Sequence, residues 1–292
     1  MVGRKVHMFY YGIEAEHIGV TALAGISFLA SGSLPDQGPY ARQIRGALEF
    51  VLSHVQPNGY ITANNSRMYE HAFATLFLAE VYGMVRDERL RERLKLAVRL
   101  IERAQNSEGG WRYLPGAQDS DMSVTVCQVM ALRAARNHGL QVSRETIDRA
   151  VEYVKASYRK EQGAFDYQIS NSMGSRTSFA LTAAGVTTLY GAGEYDAVEI
   201  RKGLEYLWKN RPPPSEAENR FDYYYGQYYA VQAMFQAGGS YWSRWYAVIR
   251  SDLLSIQSAD GSWRDLVGPN YGTAMATIIL QIPYQYLPIT ER

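Results

Sequence analysis

Asp119 and Asp121 stand two residues apart in the stretch QDSDMSVTVCQ (118–128), where an apolar helix is predicted to begin. Carboxylates in that setting have three uses. A buried, neutral one is a Brønsted acid, a pair is half of a metal site, and a single one caps the helix by accepting its first free amides. The stretch has counterparts elsewhere. His17-IGV-Thr21, His71-AFA-Thr75, Asp121-MSV-Thr125 and Ser178-FAL-Thr182 each place a polar residue four before a threonine, at intervals of 54, 50 and 57 residues. Residues i and i+4 share a helix face, so the four polar heads are expected to circle one opening. Glu14, Glu16, Arg67, Glu70, Asp119, Arg176, Asp222 and Asn270 lie beside these starts, and Tyr225 falls in the tyrosine run FDYYYGQYYA (221–230). Together with Ser123 and Thr125 they make up the site that the spacing predicts, with Asp119 and Asp121 as its candidate acids.

Two kinds of helix must position these residues. ARQIRGALEFVLSHV, DERLRERLKLAVRLIERA, SRETIDRAVEYVKASY, DAVEIRKGLEYLWKN and SRWYAVIRSDLLSIQ put apolar residues on one stripe and charges opposite, as surface helices do. Between them come IGVTALAGISFLA, HAFATLFLAEVYG, SVTVCQVMALRAA, SFALTAAGVTTLYG, GQYYAVQAMFQAG and GTAMATIILQI, apolar nearly all round and rich in Ala, Gly and Thr. A helix with no charged face is buried on every side. Five outer and six inner helices in alternation predict an all-α fold, a ring of about six helical hairpins in one domain over 1–292. Residues 1–12 read as an extended or irregular lead-in, and the sixth outer helix is expected upstream of residue 13. A repeat supports the ring. QNSEGGW (105–111) and QSADGSW (257–263) both read Gln-x3-Gly-x-Trp, with weaker copies at QPNGY (56–60), RKEQGAF (159–165) and KGLEYLWKN (202–210), so the unit is close to 50 residues.

Composition narrows the function. Hydrophobic residues make up 47% and charged ones 20%, with a net charge of +1 and no block of one sign, so neither a nucleic-acid footprint nor an acidic tail is present. No apolar run is long enough for a transmembrane helix. Cys127 is the single cysteine, which rules out an intrachain disulfide and a cysteine-based zinc cluster and suits a reducing compartment. The 23 tyrosines are fillers between helices, or faces for a flat apolar or cationic ligand. His7, His54 and His138 read as surface residues. GGSYW and GAGEY read as helix C-caps rather than phosphate loops.

On its Gln-Trp repeats, and on Arg45-Gly46 and Lys202-Gly203 in the front half of the motif, the chain resembles the squalene–hopene cyclase and protein-prenyltransferase β-subunit superfamily over roughly residues 13–287. The resemblance implies an α/α toroid of terpenoid-cyclase type, with Gln capping an outer helix, Gly making the turn and Trp packing between hairpins. It also implies two chemistries. Class II terpenoid cyclases carry Asp-x-Asp-Asp-Thr, whose middle Asp protonates an alkene. Laid on the threonine that opens the helix, DMSVT (121–125) puts Asp121 first and Ser123 in the donor's place. A serine hydroxyl is far too weak an acid for an alkene. The expectation is therefore a divergent member, without that reaction, that takes an apolar isoprenoid or an extended peptide into its central cavity, or offers its mouth to another domain. An active cyclase using Asp119 or Asp121 from a shifted register is the enzymatic alternative. Protein prenyltransferases hold zinc with Asp, Cys and His at inner-helix starts. Here there is no Asp-x-Cys, and His17 and His71 with Asp121, Glu16 or Glu70 are the candidate ligands. No cofactor is otherwise expected.

Overall fold

The alternation of helix types along the sequence becomes an alternation of place. The computed structural model describes residues 6–8, 13–64, 66–85, 87–169 and 176–288. Each inner helix is followed by an outer one: α1 (Ile18–Leu29) by α2 (Ala41–Ser53), α3 (Met68–Met84) by α4 (Glu88–Ala104), α5 (Met122–Asn137) by α6 (Arg144–Ala156), α7 (Phe179–Ala192) by α8 (Val198–Lys209), and α9 (Tyr223–Ala237) by α10 (Gly239–Ser255). The last inner helix is α11 (Pro269–Gln281). Successive inner helices pack side by side, and α11 returns to pack on α1, which closes an α/α toroid. The Gln281 amide donates to the Ser27 carbonyl at 3.2 Å across that seam. Two short antiparallel pairs, β1 (Val6–Met8) with β2 (Ile13–Ala15) ahead of α1 and β3 (Tyr158–Arg159) with β4 (Ala164–Phe165), and two 3-10 turns, Pro214–Glu216 and Ile282–Tyr284, complete the elements among the described residues. Residues 1–5 and 9–12 of the expected lead-in lie outside the described residues.

Side-chain chemistry sorts the layers. On α4 the buried residues Leu90, Leu94, Ala97, Val98 and Ile101 form one stripe, while Glu88–Arg91 and Glu92–Lys95 pair on the wet side. Exposed pairs of that kind add little, so the stripe decides where the helix goes. In contrast, α7 is buried from Phe179 through Gly191 without a break. Small residues let such helices approach their partners closely. A Cβ on Gly203 of α8 would lie 2.4 Å from a Val186 methyl of α7, and one on Gly185 would lie 2.6 Å from the Phe165 ring.

The repeat motif ties the layers together. Gln105 ends α4, and its amide donates to the carbonyls of Gly109 and Thr146, the second belonging to the next outer helix. The chain turns at Gly109 with φ +89°, a conformation that favours glycine. Trp111 is buried, its indole N–H donating to Ile101 O at 2.8 Å. Its backbone N–H donates to the Thr125 hydroxyl, one turn inside α5. Gln257, Trp263 and Thr273 repeat all of this around α10 and α11 except the bond to a next outer helix. In the weaker copies Phe165 N–H donates to Thr182 Oγ1 and Ile61 N–H to His71 Nδ1.

That last bond corrects the expected register. His71 does not head its helix: α3 begins a turn earlier, with Arg67 as its N-cap. His71 holds the slot of Thr125 and Thr182, and Thr75 lies a further turn inside, bonded back to the His71 carbonyl. Burial pushes the His71 ring down to about 3, so it stays neutral and serves the Ile61 amide. His138, expected on the surface, instead caps α5 and points Nε2 at the fully buried Glu80 carboxylate, 3.6 Å away.

Candidate functional site at the mouth of the ring

The N-terminal ends of the inner helices meet at one opening. His17, Asp121 and Ser178 cap α1, α5 and α7, each accepting the amide three residues on: Val20 at 3.3 Å, Val124 at 2.8 Å and Leu181 at 3.2 Å. Arg67 begins α3, where Glu70 accepts the Arg67 amide, and Asp222 begins α9, where Arg220 binds its carboxylate at 2.7 Å. Asn270 lies half-buried in the first turn of α11. The inner-helix starts thus carry these polar residues, with α3 shifted as described.

Within the rim one cluster joins α3, α5 and α9. Asp121 is fully buried. Its Oδ1 accepts the Val124 amide and the Ser123 hydroxyl, the latter at 2.6 Å, and its Oδ2 faces Arg112 Nε at 3.6 Å. Burial is the largest influence on this carboxyl and pushes its pKa up, against the hydrogen bonds of Ser123 and Val124 and the charge of Arg112. Ser123 stands two residues past the cap of α5, and Tyr69 two past that of α3. Their hydroxyls make a short hydrogen bond. Ser123 uses its one proton on Asp121, so Tyr69 is the donor to Ser123. From α9, the Tyr225 hydroxyl donates to the Ser123 carbonyl at 2.5 Å.

Around this chain lie guanidinium groups on tyrosine faces. Arg112 lies 4.7 Å from the centre of the Tyr113 ring and 5.5 Å from Tyr167, Arg67 covers Tyr113 at 4.8 Å, and Arg176 covers Tyr167 at 5.1 Å. The Tyr113 and Tyr167 hydroxyls meet at 2.5 Å. Asp119, half exposed, binds Arg112 Nη1 at 3.3 Å and the Gln168 amide at 3.2 Å, so Arg112 bridges both aspartates.

Below the mouth, side chains span the lumen. Tyr225 packs edge-on to Tyr69 and Tyr228 edge-on to Phe73, which links α9 to α3 on the opposite side of the ring. Tyr229 reaches α5, its hydroxyl 3.2 Å from Cys127 Sγ. Burial pushes the Cys127 thiol up to about 12, so it is neutral and unreactive.

The predicted residues therefore divide. Arg67, Asp119, Asp121, Ser123, Arg176 and Tyr225 converge on the mouth cluster. Ser178 caps α7, Asp222 stands at the start of α9 with its carboxylate on Arg220, and Thr125 serves the Trp111 amide. Glu16 points away toward His54, 3.9 Å off. His17 and His71, the candidate metal ligands, are each engaged elsewhere. His17 Nδ1 is used by its own helix, its Nε2 faces Glu70 Oε1 at 3.6 Å, and His71 turns to Ile61. Among the described residues no group of three or more His, Cys, Asp or Glu side chains is placed to hold a metal ion. Four cluster members were not foreseen: Tyr69, Arg112, Tyr113 and Tyr167. Two carried a signal, because Trp111-Arg-Tyr113 and Phe165-Asp-Tyr167 repeat an aromatic two places after the motif's aromatic, 54 residues apart.

No family model and no curated protein sequence matches this chain. Solved structures do. An α-1,6-mannanase of glycoside hydrolase family 76 from Salegentibacter, in complex with α-1,6-mannotriose, is similar at 10% identity over 93% of this chain and 90% of its own, with a TM-score of 0.63. Cellobiose 2-epimerase from Bacillus thermoamylovorans is similar at 12% identity over 95% and 91%, TM-score 0.66. A type II terpene cyclase from Scytonema is similar at 16% identity over 90% and 85%, TM-score 0.60. The likeness is one of fold. It bears out the α/α toroid, and at these identities it carries neither the cyclase nor the transferase chemistry that Gln-Trp repeats imply.

Proposed function

We propose that this toroid is a ligand-binding protein that works at its mouth, and that its ligand is a molecule with apolar faces and many oxygens, in the first instance an oligosaccharide. One observation carries the reading: above a lumen spanned by tyrosines, the faces of Tyr113 and Tyr167 alternate with Arg67, Arg112, Arg176 and Asp119. The two rings hold the guanidinium groups stacked on them in place, and paired sugar hydroxyls suit planar bidentate groups of that kind. The spanned lumen gives a long hydrocarbon little dry space. The acid also points this way. A carboxyl with a raised pKa is weaker than an ordinary one, which suits an oxygen and not an alkene. Among the neighbours by fold are a mannanase holding mannotriose and an epimerase of cellobiose, in keeping with a saccharide.

The isoprenoid reading keeps one observation in its favour. Phe73, Tyr225, Tyr228 and Tyr229 make an aromatic floor at which a flat terpenoid would be at home. A single comparison separates the two. The chain is titrated by calorimetry with manno- and gluco-oligosaccharides, and in parallel incubated with squalene and shorter polyprenyl substrates for product analysis. Saturable saccharide binding that weakens at least tenfold in Tyr113→Ala is the expected result. Turnover of a polyprenyl substrate that vanishes in Asp121→Asn, with no saccharide bound, overturns it.

A further inference from the structure

Two places after the motif's aromatic stand Tyr113 in one unit and Tyr167 in the next, and their hydroxyls meet at the mouth. The full copy between α10 and α11, Trp263-Arg264-Asp265, has a carboxylate in that place. The backbone anchors all three alike: the amides of Trp111, Phe165 and Trp263 each donate to a threonine one turn inside the following inner helix. Asp265 therefore belongs to the mouth, at the start of α11. Counted around the ring, α11 lies three inner helices from α5 in either direction, so Asp265 and Asp121 stand on opposite sides. Their surroundings differ. Asp121 has two donors on Oδ1 and Arg112 beside Oδ2. Asp265, only 8% exposed, gives Oδ1 to the Val267 amide, and its Oδ2 is buried without a hydrogen bond.

The groups around Asp265 come from two inner helices. Tyr224 of α9 and Tyr271 of α11 both lie within reach of its charge, and burial keeps both phenols neutral. Burial also pushes Asp265 up to about 6. The charge of Arg264, its neighbour in the chain, bears on Asp260 instead, and among the described residues no ion pair reaches Asp265. Tyr271 is turned into the lumen, because Cys127 on the α5 wall and Tyr228 of α9 act on its hydroxyl, as does Asp222 from the start of α9. Neither the Tyr224 nor the Tyr271 hydroxyl has a hydrogen-bond partner among the described residues. A carboxylate oxygen and two hydroxyls are thus left unmatched on this side of the mouth, where buried polar groups are ordinarily paired.

We infer that Asp265, with the hydroxyls of Tyr224 and Tyr271, is a second subsite of the mouth, which takes a hydroxyl group of the ligand onto Asp265 Oδ2. A hydroxyl is the group that can donate to a carboxylate and at the same time accept from a phenol. The ligand would then span the opening, from the arginines stacked on Tyr113 and Tyr167 to the carboxylate opposite. That the hydroxyl belongs to an oligosaccharide rests on the proposed function; the subsite itself does not.

The test uses the full chain with aspartate labelled by carbon-13 at Cγ, and the Asp265 signal is assigned by its loss in Asp265→Asn. At about pH 7.5, above the carboxyl's own value, the chain is titrated with α-1,6-mannotriose and, separately, with glycerol, a polyol without a sugar ring. A saturating shift of the Asp265 signal is expected. With the probe bound, the midpoint of its pH titration should fall below about 6, because a donor on Oδ2 favours the ionised form. No saturating shift with either probe overturns the inference. The two readings fail separately. Mannotriose that binds by calorimetry and leaves the Asp265 signal in place overturns the subsite but not the proposed function. A shift with glycerol alone supports the subsite and counts against the oligosaccharide. Where mannotriose binds, Asp265→Asn should weaken it about tenfold or more, the worth of a hydrogen bond to a charged group. Tyr271→Phe should weaken it less. Asn keeps the acceptor for the Val267 amide, so affinity is lost without loss of the fold. Unchanged affinity in Asp265→Asn also overturns the inference.

Discussion

A carboxylate that folds into an apolar setting must find donors or hold its proton. Asp121 finds two donors and a cation. Asp265, in the loop before α11, finds only the Val267 amide at 2.7 Å, and its other oxygen is buried without a hydrogen bond. Burial pushes it up from 3.8 to about 6. A raised carboxyl favours the folded state most below the unfolded value, and that contribution is lost as pH rises through about 6. Asp265→Asn, which keeps the acceptor for Val267, is therefore expected to stabilise the chain at pH 8 by up to about 3 kcal/mol and to change little near pH 3.5, read from urea midpoints. A variant less stable at both pH values would contradict this. At this scale the sequence was partly legible. Asp119, Asp121 and Ser123 announced themselves by type and spacing. Tyr69 and Arg112 did not, because a tyrosine or arginine near a helix start has no spacing rule of its own and gains its role only from the neighbouring hairpin.

The elements were the most legible part. An unbroken apolar run and a charged stripe differ in what they can bury, and that difference placed the eleven α-helices among the described residues in the right layer. The register of α3 was misread for a physical reason. Anchoring on threonine assumed that Thr fills the slot one turn inside each inner helix, and in α3 a neutral histidine fills it equally well as an acceptor for Ile61. The Arg67–Glu70 pair at the true start was the clue to the earlier boundary. Close packing between layers has its own test. Gly203→Ala puts a methyl against Val186, and a well-packed core charges about 1–3 kcal/mol for such an addition. The double variant Gly203→Ala, Val186→Ala should cost less than the sum of the two single changes in denaturant unfolding. Additivity would mean that the two residues do not share the space.

For the whole molecule, closure matters more than any single hairpin. In an open array of hairpins, loss of an end helix removes only its contacts with one neighbour. Here α11 packs on both α9 and α1, so its loss uncovers two inner helices that are apolar on every side. A chain ended at Gly268 is expected to lose its cooperative thermal transition by circular dichroism and to bind a hydrophobic dye. A sharp transition with undiminished helix content would show instead that the ring behaves as an open array. The ring itself could be foreseen from the count of helices and the repeat. Its tyrosine-spanned lumen could not, because tyrosines that fill and tyrosines that bind look alike in a sequence.

The Gln281–Ser27 bond across the seam joins residues 254 apart in the chain. Closing so large a loop adds little to the final free energy, since each doubling of length costs only about 0.6 kcal/mol. Its weight falls on time. Contacts between distant parts of a chain slow folding far more than local ones, and during synthesis the first hairpins must wait, with the flank of α1 uncovered, until the last helix has left the ribosome. The moment of greatest exposure to aggregation for this protein is thus the interval before its two ends meet.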